Sequence, residues 1–343
     1  MYALLFLTFA HIVRKYLDIL FLIKRFTLVK IINHLKLKLS FYISIIIKKP
    51  IIWGNFESIS IEPTNLCNLQ CIECPTGTNS LTRKKGEIEL STVKNIIDNN
   101  KKYLSYLILY FQGEPFLNKN IFEMISYANK NNIFTYTSTN GHYLNGENCE
   151  KIIISKLDKI IISVDGTNQE TYEKYRKNGN LNTVIRGIEN LIEAKKKYNS
   201  PTPYIELQFL VFKHNQHQIE KIKQLGKQLR VNLTSIKTAQ FYNKENYNLL
   251  TDIDKYSRYK KQNENLIIKK KIKNRCWRMW HSAVITISGD IIPCCFDKDA
   301  RLPFSNLDNS DINAIRKSEN YKNFAQKILS NRSSINICNN CNE

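Results

Sequence analysis

The sequence has little arginine. Only 12 of its 51 basic residues are arginine, the residue that bidentate recognition of phosphates and base edges favours. The net charge of +21 is therefore interpreted as lysine-rich solvated surface, and binding to nucleic acid is not expected. Disorder is not expected either, because 43% of the residues are apolar and 24% are charged.

A long apolar run and a signal-peptide cleavage site are also missing. The opening apolar stretch, residues 1–13, is shorter than the about 20 residues that a transmembrane helix needs. No small-residue cleavage site follows it. Nine cysteines in a chain without a secretory signal favour a reducing compartment over disulfide bonds. We therefore expect a cytoplasmic protein.

Residues 1–50 differ from the rest of the chain in charge. They hold nine basic side chains and one acid, Asp18, and lysine or arginine separates their apolar stretches. Amphipathic helices that lie in a membrane interface show this pattern. Two interpretations stay open: a helical extension that binds peripherally to the inner membrane, or an extension that packs on its own domain.

After Pro50, short β-rich runs alternate with helical stretches. This alternation predicts an α/β fold, with a parallel sheet that is either open or an incomplete barrel, and an active site at the carboxyl ends of its strands. We assign residues 51–245 to this core, 246–275 to a linker and helix, and 276–343 to a small cysteine-rich domain. The six expected strands are Ser58–Ile61, Leu104–Phe111, Ile133–Ser138, Lys159–Val164, Tyr204–Phe212 and Val231–Lys237.

Three cysteines follow the first expected strand in one loop. Cys67, Cys71 and Cys74 have the spacing Cys-x-x-x-Cys-x-x-Cys, and three thiolates so close in sequence can meet at one metal centre. A closed structural zinc site has four ligands, so one coordination position would stay open. Cubane iron–sulfur clusters are also held by thiolates, and an iron that lacks a protein ligand can bind a substrate.

This motif, after the first strand of a six-unit βα pattern, resembles the signature of the radical S-adenosylmethionine (radical SAM) superfamily. The resemblance implies a partial (β/α)6 TIM-like barrel, a 4Fe-4S cluster on the three cysteines, and S-adenosylmethionine bound to the open iron. It implies reductive cleavage of S-adenosylmethionine to a 5′-deoxyadenosyl radical, which abstracts hydrogen from an unactivated position. An electron donor such as a flavodoxin or ferredoxin is implied as well.

Two further segments resemble motifs of the family that bind the methionine part of the cofactor. Gln112-Gly-Glu-Pro115 is similar to Gly-Gly-Glu-Pro, whose backbone and glutamate receive the amino group. Gly113 and Glu114 are carried over in these roles, and Gln112 only through its backbone. Ser138-Thr-Asn-Gly141 is similar to the Thr-Asn-Gly turn, which places Asn140 where it can form hydrogen bonds near the cofactor.

The end of the fourth strand supplies the remaining cofactor candidates. Ile162-Ser-Val-Asp-Gly166 resembles Ser-x-Asp-Gly, and Arg176 follows it. Ser163 is the candidate for the ribose, and Arg176 is the candidate for the carboxylate. Glu73 stands before the third cysteine, where many members have an aromatic residue that packs near the adenine.

Four of the five cysteines in the last seventy residues resemble the SPASM/Twitch extension in its shorter form. A predicted hairpin presents thiols at both ends, and a predicted helix, residues 312–328, precedes a final Cys-x-x-Cys pair. The resemblance implies one auxiliary 4Fe-4S cluster, although four thiolates also suit zinc. Cys295 adjoins Cys294 and could replace it, but the spacing from Gly289 favours Cys294. The implied ligands are Cys276, Cys294, Cys338 and Cys341.

A cluster with four protein ligands has no open iron, so we expect the auxiliary cluster to accept or relay an electron in a net oxidation. Such a reaction needs a base, and the candidates are Asp297 and His281. The expected substrate is a peptide or a small, sugar-like molecule. The alternatives are an inactive relative, or a zinc-stabilised protein that binds a membrane surface or nucleic acid without catalysis.

Overall fold

The computed structural model describes residues 25, 27–308 and 311–341. Its strands are β1 (Ser58–Ile61), β2 (Tyr106–Ile108), β3 (Phe134–Thr139), β4 (Lys159–Ser163), β5 (Tyr204–Val211), β6 (Leu233–Thr238), β7 (Tyr259–Gln262), β8 (Asn265–Ile268), β9 (Ser282–Ile285), β10 (Asp290–Ile292) and β11 (Ser305–Asn306). Its helices are α1 (Leu28–Ile47), α2 (Leu90–Asn100), α3 (Ile121–Lys130), α4 (Gly146–Ile154), α5 (Gln169–Tyr175), α6 (Leu181–Lys197), α7 (Ile219–Gln228), α8 (Trp277–His281), α9 (Ile312–Ile315) and α10 (Glu319–Asn331).

Strands β1 to β6 form a parallel sheet in sequential order. The other edge of β1 pairs with β9, again in parallel, and antiparallel β10 and β11 complete the sheet. The α/β fold expected from the sequence is confirmed. The cysteine-rich hairpin therefore continues the main sheet instead of standing apart from it.

The helices between the strands cover the sheet with apolar side chains. In α6, Asn180 caps the helix by accepting a hydrogen bond from the Thr183 backbone. Val184, Ile188 and Leu191 follow at helical spacing and are fully buried. Because helices pack on the sheet, the side chains at the carboxyl ends of the strands are left to form the site.

Two predicted helical segments are wrong. Residues 246–275 do not contain the expected linker helix: beyond two short 3-10 turns, the chain forms the antiparallel hairpin β7–β8. The helix expected over 312–328 is divided into α9 and α10, because Ser318 begins a new helix by capping the Tyr321 backbone. Arg316, in the break, is buried and donates to Trp280 O and Gly54 O.

Helix α1 lies across the amino-terminal edge of the sheet, and its contacts are with residues that precede strands. His34 Nδ1 lies 2.8 Å from Glu57 Oε2, before β1, and Lys30 Nζ donates to Asn132 O, before β3. None of the described helices is long and apolar enough to cross a membrane. Residues 1–24 of the predicted extension lie outside the described part of the chain.

Candidate active site

A cleft of about 540 Å³ opens at the carboxyl ends of the parallel strands. This is the edge at which the strand pattern predicted a site, and the volume is typical of clefts that hold small ligands. Its lining includes the candidates Cys67, Cys71, Cys74, Gln112, Gly113, Glu114, Asn140, Ser163 and Arg176. The structure therefore brings together the cysteine loop and all six cofactor candidates.

The cysteine loop after β1 turns tightly on itself. Cys74 N donates to Cys71 O at 3.1 Å, and a Cβ on Gly77 would lie 2.5 Å from Cys71 N. Only glycine lets the chain pass so close. Burial raises the pKa of the Cys71 thiol to about 12 and also raises the pKa of Cys67. Both thiols are thus neutral near pH 7 unless a bound cation stabilises their thiolates.

Gly113 fixes the position of the next loop against the cysteine loop. Its φ is +76°, and a Cβ there would lie 2.4 Å from Thr64 O and 2.7 Å from Leu66 O. Glu114 N then donates to Leu66 O at 2.7 Å. The backbone after β2 is therefore held directly against the segment that leads to Cys67.

The Glu114 carboxylate is buried between two strand ends. Thr139 Oγ1 donates to its Oε1, and Asn140 N donates to its Oε2, both at 2.8 Å. Burial raises the pKa of Glu114 to about 7, in opposition to these hydrogen bonds. The carboxyl group can therefore be charged or neutral near neutral pH, depending on what binds beside it.

The Asn140 side chain holds the cysteine loop. Its Nδ2 donates to Asn68 Oδ1 at 2.8 Å and lies 3.8 Å from Cys67 Sγ, while its Oδ1 accepts from His142 N at 3.0 Å. In the structure, the Asn140 side chain thus binds the cysteine loop through Asn68. Its hydrogen bonding to a cofactor stays a prediction.

Arg176 forms a buried ion pair within the cleft. Its Nε donates to Asp165 Oδ2 at 2.7 Å, and its Nη1 lies 3.9 Å from Cys71 Sγ. Asp165 Oδ1 also accepts from Leu210 N, which fixes the carboxylate. The sequence motif contained Asp165, but its partnership with Arg176 depends on a fold contact that the motif does not show.

Four of the five C-terminal cysteines line a second, smaller and apolar cavity. Arg332 lies beside them, and its Nη2 donates to Cys341 Sγ at 3.1 Å. Cys294 lines this cavity, whereas Cys295 lines the main cleft, where Arg278 Nη1 lies 3.6 Å from its sulfur. The two adjacent cysteines therefore face different cavities, and Cys294 is the one placed with Cys276, Cys338 and Cys341.

The structure corrects the expectation that Asp297 or His281 is the base, because neither residue lines the cleft. Asp297 is buried, and its two carboxylate oxygens accept from Arg301 N and Leu302 N at 2.8 and 2.9 Å. Each oxygen thus accepts one backbone hydrogen bond, and together these bonds fix a turn. In the structure Asp297 therefore holds this turn and lies outside the lining of the cleft.

His281 lies at the opposite edge of the sheet from the cysteine loop. It directly precedes β9, which pairs in parallel with β1, so it is at the amino end of these strands. Its ring stacks on Trp277, and its Nδ1 lies 3.0 Å from Trp277 O. Burial lowers the pKa of His281 to about 3, so the imidazole stays neutral and packs with the aromatic residues.

Sequence reasoning missed the part of the cleft lining that comes from residues 237–298. Glu73, the departure from the family pattern, accepts at 2.8 Å from Tyr242 N. That contact brings a tyrosine into the lining, with Lys298 Nζ 4.3 Å from the centre of its ring. Lys237, Arg258, Arg278 and Lys298 also line the cleft. The only sequence signal for these four residues is the general excess of basic residues.

Comparison with known proteins decides the family. The family model described as the radical SAM superfamily matches residues 61–226, and the one described as an iron–sulfur cluster-binding domain, SPASM, matches residues 276–342. The chain belongs to the radical SAM superfamily and carries a C-terminal SPASM domain. The resemblance inferred from the cysteine spacings is thereby confirmed.

Curated relatives of this radical SAM protein match only part of it. It is similar to an AdoMet-dependent heme synthase of Methanosarcina barkeri, with 28% identity over 50% of this chain and 47% of the relative. It is also similar to the mycofactocin maturase MftC of Mycolicibacterium smegmatis, with 29% identity over 39% of this chain and 33% of the relative. The matches thus span about a third to a half of these relatives' length.

Solved structures share the fold of the radical SAM protein across most of its length. SuiB of Streptococcus suis, bound to S-adenosylmethionine, has a TM-score of 0.61 at 13% identity and covers 85% of this chain and 73% of SuiB. BtrN in complex with AdoMet has a TM-score of 0.53 at 16% identity, with 84% and 93% covered. These likenesses confirm the TIM-like α/β architecture.

Membership implies a 4Fe-4S cluster with S-adenosylmethionine in the radical SAM domain and an auxiliary iron–sulfur cluster in the SPASM domain, and the donor atoms fit. Within the described residues, no three His, Cys, Asp or Glu side chains converge where one metal ion could bind. Each thiolate of a cubane cluster binds a different iron, so its cysteines surround a volume. The four cysteines around the second cavity have that arrangement.

Proposed function

We propose that this radical SAM enzyme abstracts a hydrogen atom from an anionic substrate in the main cleft and completes a net oxidation through its auxiliary cluster. The observation that carries the proposal is the convergence of the cysteine loop, Gly113, Glu114 and Arg176 on one cleft. When bound, the cluster and S-adenosylmethionine supply a 5′-deoxyadenosyl radical. The chain's own residues bind, orient and exclude water.

The roles of the cofactor residues follow from their positions. Cys67, Cys71 and Cys74 are assigned as ligands of the first cluster. Glu114 and the Gly113 backbone are assigned to the methionine amino group, because a buried carboxylate at the strand ends favours an ammonium partner. Ser163 is assigned to the ribose and Arg176 to the carboxylate. The Gln112 backbone is assigned to the methionine amino group, beside the backbone of Gly113.

Tyr242 is assigned to the adenine. The position before Cys74 carries Glu73 instead of an aromatic residue, but Glu73 holds the Tyr242 backbone at 2.8 Å, and Tyr242 lines the cleft. An aromatic ring on the cleft wall can stack on a purine. The aromatic contact would then come from the segment after β6 instead of from the cysteine loop.

The substrate class is argued from the charge of the lining. Five cations line the cleft: Arg176, Lys237, Arg258, Arg278 and Lys298. Arg176 is paired with Asp165, and Lys237 Nζ lies 4.0 Å from Glu206, so the excess of positive charge rests on the other three. The lining carboxylates are Glu73 and Glu114, and both are already bound to backbone amides. Arg258 donates to neutral oxygens, Thr238 Oγ1 and Thr238 O. This excess of positive charge favours a substrate with carboxylate or phosphate groups.

The names of the relatives are compatible with either a peptide or a small-molecule substrate. MftC is a maturase, and SuiB has been solved bound to precursor peptide SuiA, whereas other curated relatives are AdoMet-dependent heme synthases and an Fe-coproporphyrin III synthase. A peptide with acidic side chains and a small molecule with carboxylates would both meet the charge of the cleft. We expect a cytoplasmic electron donor such as a flavodoxin or ferredoxin.

The auxiliary cluster is assigned to electron transfer. Four cysteines line its cavity, and a cluster with four protein ligands cannot bind substrate through an open iron. Because Arg278 lines both this cavity and the main cleft, the two cavities are separated by little more than one layer of side chains. A short path of this kind suits removal of an electron from the substrate.

Anaerobic reconstitution tests the proposal. The intact protein is expected to bind about eight iron atoms, as two cubane clusters, and to form 5′-deoxyadenosine with reductant and S-adenosylmethionine. Replacing Cys67, Cys71 and Cys74 by alanine should halve the iron and abolish 5′-deoxyadenosine, whereas Cys149→Ala, a buried cysteine of α4, should do neither. Zinc in place of iron would contradict the proposal.

A second pair of variants tests the auxiliary site. Cys294→Ala should remove about four iron atoms, the content of one cubane cluster, and leave cleavage of S-adenosylmethionine intact. Cys295→Ala is the matched control, because its sulfur faces the main cleft, and it should keep all the iron. Equal iron loss in the two variants would contradict the assignment.

A further inference from the structure

Helix α1 presents its apolar side chains to the outside. Leu28, Leu35 and Ile46 are 71%, 60% and 78% exposed. They lie on one face of the helix at 100° per residue. We call this set the α1 apolar face; its members are Leu28, Ile31, Ile32, Leu35, Leu39, Tyr42 and Ile46, all exposed.

The opposite face of α1 is fixed to the protein by polar side chains and by the buried apolar residues Leu37 and Phe41. Lys30 Nζ donates to Asn132 O at 2.8 Å, and Asn33 Nδ2 donates to Asn55 O at 3.0 Å. Ser44 Oγ accepts from Ile51 N at 2.8 Å. Rotating the helix to bury its apolar face would break all three contacts and would expose Phe41, which packs against Trp280. The outward orientation of the apolar face is therefore built into the fold.

Basic side chains border the α1 apolar face. Lys36 falls on one side at 100° per residue, and Lys48 and Lys49 follow its C-terminal end. Lys38 falls on the other side, where its Nζ lies 3.7 Å from the centre of the Trp277 ring. Lys36, Lys48 and Lys49 are exposed, and residues 27–49 contain no acidic residue. Lysines beside an apolar stripe can extend to lipid headgroups while the stripe enters the hydrocarbon boundary.

We propose that the α1 apolar face docks on an anionic lipid bilayer. At 1.5 Å per residue the helix is about 30 Å long, so its contact is long and narrow. The helix lies at the amino-terminal edge of the sheet, and the active cleft opens at the carboxyl edge. Docked in this way, the enzyme keeps its cleft open to the aqueous phase.

Vesicle flotation of the full-length, reconstituted protein tests this proposal. The probes are phosphatidylcholine vesicles with and without about 30% phosphatidylglycerol, because basic residues bind anionic leaflets. The protein should float with the anionic vesicles, and Leu35→Glu should weaken binding about tenfold or more, since an inserted leucine is replaced by a charge. Leu39→Glu changes the same face and should give the same result.

Ile154→Glu is the matched control. Ile154 is an apolar residue at the end of α4, 63% exposed, which is close to the exposure of Leu35. Its variant should bind vesicles as the unchanged protein does. Replacing Lys36, Lys48 and Lys49 by glutamine should remove the preference for anionic vesicles. Iron content and formation of 5′-deoxyadenosine in solution should be unchanged in every variant.

Three results would overturn the proposal. The first is no binding to anionic vesicles by the full chain. The second is equal binding by Leu35→Glu and Ile154→Glu, which would assign any membrane contact to another part of the chain, such as residues 1–24. The third is a dimer, measured by light scattering, that Leu35→Glu dissociates while vesicle binding stays absent. A second copy of the chain would then cover the face.

Discussion

Replacing Gly113 by alanine should disrupt the junction between the two cofactor loops. The backbone at Gly113 has φ +76°, which costs an L-residue about 1–2 kcal/mol. The new Cβ would also lie 2.4 Å from Thr64 O and 2.7 Å from Leu66 O, and such overpacking costs about 1–3 kcal/mol. The expected loss in free energy of unfolding is about 2–5 kcal/mol, a large part of a typical total.

The assay combines urea unfolding of the iron-free protein with iron analysis after reconstitution. Because Thr64 and Leu66 lead directly to Cys67, relief of the overlap should displace the first cluster's ligand loop. Iron should fall from about eight atoms towards the about four of the auxiliary cluster alone. Gly146→Ala is the matched control: a Cβ there meets nothing within 4 Å, and alanine should stabilise α4 by about 0.4–1 kcal/mol.

The reasoning would be refuted by a Gly113→Ala protein with wild-type stability and a full iron content. Loss of stability with full iron would refute only the link between the two loops. Loss of iron without loss of stability would indicate that the overlap is relieved by movement of the cysteine loop alone. The two measurements therefore test the strain and its transmission separately.

Three further variants test the cleft. Burial raises the pKa of Glu114 to about 7. The affinity for S-adenosylmethionine should therefore rise from about pH 6 to about pH 8, as the carboxylate forms. In a binding titration, Glu114→Gln should remove this rise. For stability the sign is opposite: the folded state favours the neutral acid, so the Glu114 contribution is present below the ordinary pKa of 4.5 and is lost as pH rises towards about 7. Arg176→Lys should lower the free energy of unfolding by about 1–3 kcal/mol in urea, because its ion pair with Asp165 is buried. Arg301→Lys is the control: the Arg301 side chain is 74% exposed, so the change should be less than about 0.5 kcal/mol. Equal losses in the two variants would contradict this. Tyr242→Leu should weaken binding of S-adenosylmethionine about 2–10-fold through lost stacking. Tyr198→Leu is the matched control, because Tyr198 is 41% exposed and Tyr242 is 38% exposed, and it should leave binding unchanged. Unchanged binding in both variants would remove Tyr242 from the adenine site.

The sequence patterns located the parallel strands and the cysteine loop well, because both are local. The expected strand at Ser58–Ile61 has the observed bounds, and the second was expected at Leu104–Phe111 but covers Tyr106–Ile108. Strand ends are set by pairing with neighbours, which local sequence does not contain. The same limit explains the hairpin β7–β8, where lysine-rich sequence was interpreted as linker and helix.

The two predicted bases failed because distance along the chain does not report the edge of a sheet. His281 comes only five residues after Cys276, but the strand that follows it runs parallel to β1, which places the ring at the opposite edge from Cys67. Asp297 is three residues from Cys294, but its carboxylate is turned to the backbone of Arg301. Pairing and turn geometry decide both cases.

Local sequence also does not show which face of helix α1 is buried. Its periodicity predicts a polar stripe and an apolar stripe, and the usual rule buries the apolar one. Here the helix lies where parallel strands begin, and the backbone groups there need partners. Lys30, Asn33 and Ser44 supply those partners at Asn132 O, Asn55 O and Ile51 N. Because the inner face is already occupied by these polar groups together with Leu37 and Phe41, the α1 apolar face is left outside, and a lipid surface is its expected partner.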